Sequence, residues 1–154
     1  MKITVLGLGN LLLRDEGVGI HVLKDLENHL PEDVEILDGG TIGLPLLTYL
    51  SDTTHLLIID AVKAKAPPGT VMVFGQEELM RGLPVRFSVH DISITDLVSL
   101  LKFKYNRLKD VRLIGVVPER TGAGTELSES VKRACVEVKE MVKRIVAEWK
   151  SEVK

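Results

Sequence analysis

The stretch HLLIIDA, residues 55–61, decides how this chain is read. Leu56, Leu57, Ile58 and Ile59 form an unbroken aliphatic run. A run of that kind between turn signals reads as a strand buried on both faces, the pattern of a parallel sheet covered by helices on either side. Asp60 follows immediately. A carboxylate at the end of a buried strand is costly unless something pairs with it or uses it.

Outward from there, the same alternation recurs in both directions. ITVLGL (3–8), VEILD (34–38), TVMVF (70–74) and VRLIGVV (111–117) read as further strands. Between them stand helical periods: Val18, Val22, Leu26 and Leu30, then a short helix in LPLLTYL, then a helix from Ile94 with Ser93 as its cap and Asp96 three residues on. The final helix starts near Ser128. Its apolar stripe runs through Val131, Ala134, Cys135, Val138, Met141, Val142, Ile145, Val146 and Trp149. GGTIG (39–43) and APPG (66–69) read as turns, QEELMRG as a helical turn and PVRFSVH as a short edge strand. The expected fold is α/β. One domain over residues 1–154 holds a twisted, mostly parallel sheet of about five strands between helices.

The bulk numbers agree. Of 154 residues, 45% are hydrophobic and 27% charged, and the net charge is −2. A nucleic-acid partner would call for a clustered basic face, and Lys and Arg are instead dispersed along the chain. No segment reaches the ~18 apolar residues of a membrane span. The apolar run near Met1 is broken by Gly7, Gly9 and Asn10 and followed by Arg14, Asp15 and Glu16, so it reads as a strand and loop rather than a signal peptide. The one cysteine excludes an internal disulfide and fits a reducing, cytoplasmic setting.

In such folds ligands gather at the carboxyl ends of the strands. The polar residues placed there are Asn10, Arg14, Asp15 and Glu16, then Asp38 with Gly39, Gly40 and Thr41, then Asp60, His90 with Asp91, and Glu119 with Arg120. Each has a plain structural reading. Asp15 and Glu16 can cap the helix that follows them. Asp38 before two glycines can build an Asx turn, and His90 can be an ordinary loop histidine. Asp60 has no evident cap to make. Together, Glu16, Asp60 and His90 suit a borderline divalent metal such as nickel or zinc, or an acid/base site. Cys135 lies in the apolar stripe and reads as core. No serine sits in a G-x-S-x-G elbow, so activation of water fits better than covalent catalysis.

A rival reading is a non-enzymatic module with a Rossmann-like sheet, binding a nucleotide or a metal. GLGNLL (7–12) follows a strand, and Asp38 stands where a ribose-binding acid would. However, Leu12 occupies the third glycine position. Asp15 and Glu16 also stand where a pyrophosphate would need a bare helix amino end.

The motifs GLGNLLLRDEGVG (7–19), EILDGGTIG (35–43), LLIIDAV (56–62), SVHDISITDLV (88–98) and LIGVVPE (113–119) resemble, in order and spacing, those of the endopeptidases that mature nickel–iron hydrogenases. They cover nearly the whole chain. The resemblance implies removal of a carboxyl-terminal extension from the hydrogenase large-subunit precursor after nickel insertion. It implies metal contacts by Glu16, Asp60 and His90, with nickel carried by the substrate and no organic cofactor. Asp38 is a further catalytic candidate, in a loop whose glycines let a peptide backbone come close. The resemblance also brings the label of aspartic peptidase, which would have Glu16 and Asp60 share a proton.

Overall fold

β1 (Ile3–Leu8) is buried at every position, and its neighbours follow from the strand-and-helix alternation. The computed structural model describes residues 1–40, 43, 45–82, 86, 87 and 93–152, with residues 86 and 87 as backbone. After β1 come a 3₁₀ turn (Arg14–Gly17), α1 (Val18–Leu26), β2 (Glu35–Gly40), α2 (Leu46–Tyr49) and β3 (His55–Lys63). Then come β4 (Val71–Phe74), α3 (Gln76–Arg81), β5 (Arg86–Phe87), α4 (Ile94–Lys104), β6 (Asp110–Val116) and α5 (Glu129–Ser151). Five strands lie in the order β2-β1-β3-β6-β4, and β5 pairs with the end of β3. β2, β1, β3 and β6 are mutually parallel, while β4 runs antiparallel to β6 and β5 antiparallel to β3.

The aliphatic run in β3 serves both layers, as its lack of alternation requires. Leu57, Ile59 and Ala61 pack with the buried faces of α1 and α5. Leu56 and Ile58 pack with Leu46 of α2, Leu79 of α3 and Ile94, Leu97, Val98 and Leu101 of α4. Each fully buried aliphatic side chain contributes about 1.5–3 kcal/mol relative to exposure. The stripe of α5 is buried as its period requires, with Met141 partly buried at its margin. Ser93 caps α4, its Oγ accepting from the Asp96 amide at 3.1 Å.

Three boundaries differ from expectation. β3 does not end beside Asp60 but runs on to Lys63, because β6 stays paired as far as Ala61↔Val116 and β5 takes Val62 and Lys63. β2 continues through Gly39 and Gly40, since the Gly9 amide donates to the Gly40 carbonyl at 3.0 Å across a register shift after Gly7. α1 stops at Leu26, and Asn28 takes a φ of 65°, so Leu30 packs on the core from outside the helix.

Gly19 sets how closely α1 approaches the sheet. A Cβ there would lie 2.3 Å from the Ile59 carbonyl oxygen and 2.7 Å from that of Leu8. Alanine normally favours a helix interior over glycine by about 1 kcal/mol. Here Gly19→Ala is expected to destabilise by about 1–3 kcal/mol, since backbone rather than a flexible side chain must yield. Chemical denaturation reads the sign, and a stabilised variant would contradict the packing.

Candidate active site at the carboxyl edge

The strand order reverses direction at β1 and β3: the chain steps outward from β1 to β2, then crosses to β3 on the other side. Such a switch point opens a crevice at the strands' carboxyl ends, the usual ligand position in an open α/β sheet. The β1–β3 ladder ends at Gly7↔Ile59. Asp60 is therefore the first residue of β3 with no β1 partner beside it, while β6 still pairs it with Gly115. Its side chain is wholly buried, and its Oδ1 accepts from the Ala61 amide at 2.8 Å.

β1 leads into the turn that carries Glu16. That turn packs against β3, and Glu16 is 5% exposed. Gly9, at φ 127°, lets the Glu16 carbonyl rest directly on its Cα, since a Cβ there would stand 1.9 Å from that oxygen. The structure thus brings two buried carboxylates, Glu16 and Asp60, to the two sides of one switch point. His90, the third expected metal contact, lies outside the described residues, as do Thr41 and Asp91. Among the described residues no three His, Cys, Asp or Glu side chains group as a metal site.

Asp38 is exposed, and its Oδ1 accepts from the Gly40 amide at 2.9 Å, which is the Asx turn that its glycines allow. Asp38 and Ile59 both stand opposite Gly7, on either side of β1. Two strand spacings, about 10 Å, therefore separate the backbone of Asp38 from that of β3. Asp38 instead lines a cavity of about 400 Å³ with Gly9, Asn10, Leu12 and Gly40. Leu12, 66% exposed, leaves that rim apolar.

Neither Asp15 nor Glu16 caps α1, whose N-cap is Gly17 with no side-chain hydrogen bond. Asp15 turns the other way. Its buried carboxylate accepts from the amides of Glu119 (2.9 Å), Arg120 (3.0 Å) and Ser128 (2.8 Å), and from the Ser128 hydroxyl (2.7 Å). Nothing local in the sequence announces this contact, because the partners are more than a hundred positions away. Burial pushes the Asp15 pKa up, but the hydrogen bonds from Arg120, Ser128 and Glu119 outweigh it and hold the group below its ordinary value of 3.8. A depressed folded-state pKa stabilises the fold at pH above the unfolded value. That contribution is lost as pH falls through the folded value. Acid unfolding of Asp15→Asn is therefore expected to be less steep below pH about 4 than that of the parent, as read by circular dichroism.

Cys135 is buried, and burial pushes its thiol up to about 11, so it supplies no thiolate nucleophile near neutral pH.

The chain is similar to known proteins in sequence and in fold. A family model described as hydrogenase maturation protease matches residues 20–148. The Escherichia coli (strain K12) hydrogenase 2 maturation protease is 42% identical over 122 residues, which cover 77% of this chain and 74% of that protein. The solved structure of the E. coli hydrogenase maturating endopeptidase HybD superposes with a TM-score of 0.87 at 37% identity, covering 96% of this chain and 93% of that one. A [NiFe] hydrogenase maturation protease HybD from Thermococcus kodakarensis gives a TM-score of 0.81 at 29% identity, covering 94% and 99%.

Proposed function

The chain belongs to the hydrogenase maturation protease family and is a peptidase, and from that premise we propose that it removes the carboxyl-terminal extension of a [NiFe] hydrogenase large-subunit precursor once nickel is in place. One observation carries the site assignment: Glu16 and Asp60, two buried carboxylates, flank the switch point between β1 and β3. Oxygen donors so placed suit a borderline divalent cation, with His90 adding an imidazole nitrogen. The nickel is the substrate's own, so these residues read whether the precursor is loaded before it is cut. Held there, the metal can polarise the scissile carbonyl or place a water.

The cavity between Gly9–Leu12 and Asp38–Gly40 is where we place the backbone of the precursor tail. Its glycines admit a close peptide, and Asp38 faces that peptide rather than the metal. We read Glu16 and Asp60 as metal contacts rather than as a proton-sharing aspartic pair. We assign the protein to the cytoplasm, where a newly made precursor would meet it. No helix among the described residues is long and apolar enough to cross a membrane. Membership of a peptidase family sets aside the nucleotide-module reading of GLGNLL.

The test is to incubate the protein with nickel-loaded and nickel-free precursor and weigh the products. Cleavage of the loaded form alone is expected, and equal cleavage of both forms would remove nickel from the recognition step. His90→Ala is expected to lose cleavage of the loaded form.

A further inference from the structure

We propose that Asp15 is a positioning residue, clamped on the segment from Glu119 to Ser128 so that the adjacent Glu16 is held where it meets the substrate's nickel; the assignment rests on the proposed role of Glu16. Asp15 itself is not a metal contact. Its Oδ2 accepts from the Glu119 and Arg120 amides and the Ser128 hydroxyl, and its Oδ1 from the Ser128 amide, so both oxygens are committed to the segment from Glu119 to Ser128. The carboxylate is completely buried, so no water competes for those bonds.

The backbone reciprocates the grip. The Asp15 amide donates to the Arg120 carbonyl at 3.0 Å and the Arg14 amide to that of Gly124 at 3.0 Å. The Gly124 amide in turn donates to the Leu12 carbonyl at 2.9 Å. Leu13 and Gly124 form a parallel bridge. Residues 12–15 are thus laid alongside 120–124 like a short pair of strands. The pairing holds Arg14 at a φ of 47°, a left-handed conformation that is unfavourable for an L-residue. A strained residue of this kind persists where surrounding contacts over-determine it, which is common beside functional groups.

Glu16 inherits the result. Its amide donates to the Leu13 carbonyl at 3.1 Å, its carbonyl rests on Gly9, and its preceding residue is pinned. Ser128 Oγ lies 3.3 Å from Ser130 Oγ, and Ser130 Oγ donates to Glu119 Oε1 at 2.9 Å. Ser128 can give its hydroxyl hydrogen to Asp15 because it does not cap α5 with its side chain, although it stands at the N-cap position. A displacement of about 1 Å in a catalytic group can cost about 10²-fold in rate, which is the scale on which such a clamp matters.

Steady-state cleavage of nickel-loaded precursor by Asp15→Asn, Ser128→Ala, Ser128→Thr, Glu16→Gln and the Asp15→Asn/Glu16→Gln double variant tests the proposal. All variants are checked for folding by circular dichroism at the assay temperature. In Asp15→Asn an amide NH₂ must face one of the donors, and in Ser128→Ala one donor is missing. Each is expected to lower kcat/KM by about 10–100-fold, the range for groups that orient a ligand from behind. Ser128→Thr, which keeps the hydroxyl, is expected to stay close to the parent. The loss is expected in the same parameter, kcat or KM, that Glu16→Gln changes, and the double variant is expected to be no worse than Glu16→Gln alone. A purely structural loss would instead multiply with that of Glu16→Gln, and that result overturns the proposal. Full activity in folded Ser128→Ala and Asp15→Asn, with Glu16→Gln impaired, overturns the clamp and leaves the Glu16 assignment standing. Full activity in Glu16→Gln overturns both.

Discussion

Asp60→Asn is expected to abolish cleavage of nickel-loaded precursor while the protein stays folded. The substitution keeps the volume of the side chain and an oxygen for the Ala61 amide, which Asp60 Oδ1 now accepts at 2.8 Å. It removes the negative charge from a wholly buried position beside the switch point. If that charge meets the substrate's nickel, several kcal/mol of transition-state stabilisation goes with it. At about 1.4 kcal/mol per decade, the rate falls by about 10²–10³-fold or more. Product mass after a long incubation separates slow from absent cleavage. Parent-level turnover by a folded Asp60→Asn would show that Asp60 is structural, and the site would have to be rebuilt around other residues.

Trp149→Ala is expected to produce the largest loss of stability, and to do so far from the chemistry. Trp149 is completely buried near the end of α5. Its Nε1 donates to Asp110 Oδ2 at 2.8 Å, its ring meets His55 edge-on with centroids 5.3 Å apart, and the Arg112 guanidinium lies 5.4 Å from its centroid. Asp110 and His55 begin β6 and β3, so this cluster ties α5 to the amino edge of the sheet, opposite the candidate site. Truncating a buried tryptophan typically costs about 3–5 kcal/mol. In a chain of this length that lowers Tm by about 6–20 °C. Below the new transition, specific activity is expected to match the parent. A Tm within 2 °C of the parent would mean that the cavity collapses or fills, and that the cluster is not an anchor.

The contrast between the two variants follows the layout of the chain. Asp60 and Trp149 belong to opposite edges of one sheet, and α5 spans the distance between them. The amino-edge cluster is aromatic, with Arg112 ion-paired to Glu148 at 2.9 Å and Glu152 3.4 Å from His55 Nε2, and it serves packing. The carboxyl edge instead buries two carboxylates, Glu16 and Asp60, on either side of the switch point.

What the sequence by itself determined was periodic and local. The aliphatic run at 56–59 required a strand covered on both faces, and both layers are there. The stripe from Val131 to Trp149 required a long amphipathic helix on that sheet, and Ser93 announced the start of α4. The order of motifs placed Glu16, Asp38 and Asp60 at one edge, since every parallel strand presents its carboxyl end to the same side. Tertiary structure alone decided what those carboxylates face. Asp15 and Glu16 are adjacent and chemically alike, and both read as helix caps or as site residues. Folding sends Asp15 to Ser128, 113 positions away, and leaves Glu16 beside β3. It also puts a whole strand, β1, between β2, which carries Asp38, and β3, which carries Asp60. Periodicity reports which face of an element is buried because burial repeats with the backbone's own geometry. A hydrogen bond between distant segments carries no such repeat, so only the closed fold shows that Asp15 is the carboxylate tied to Ser128.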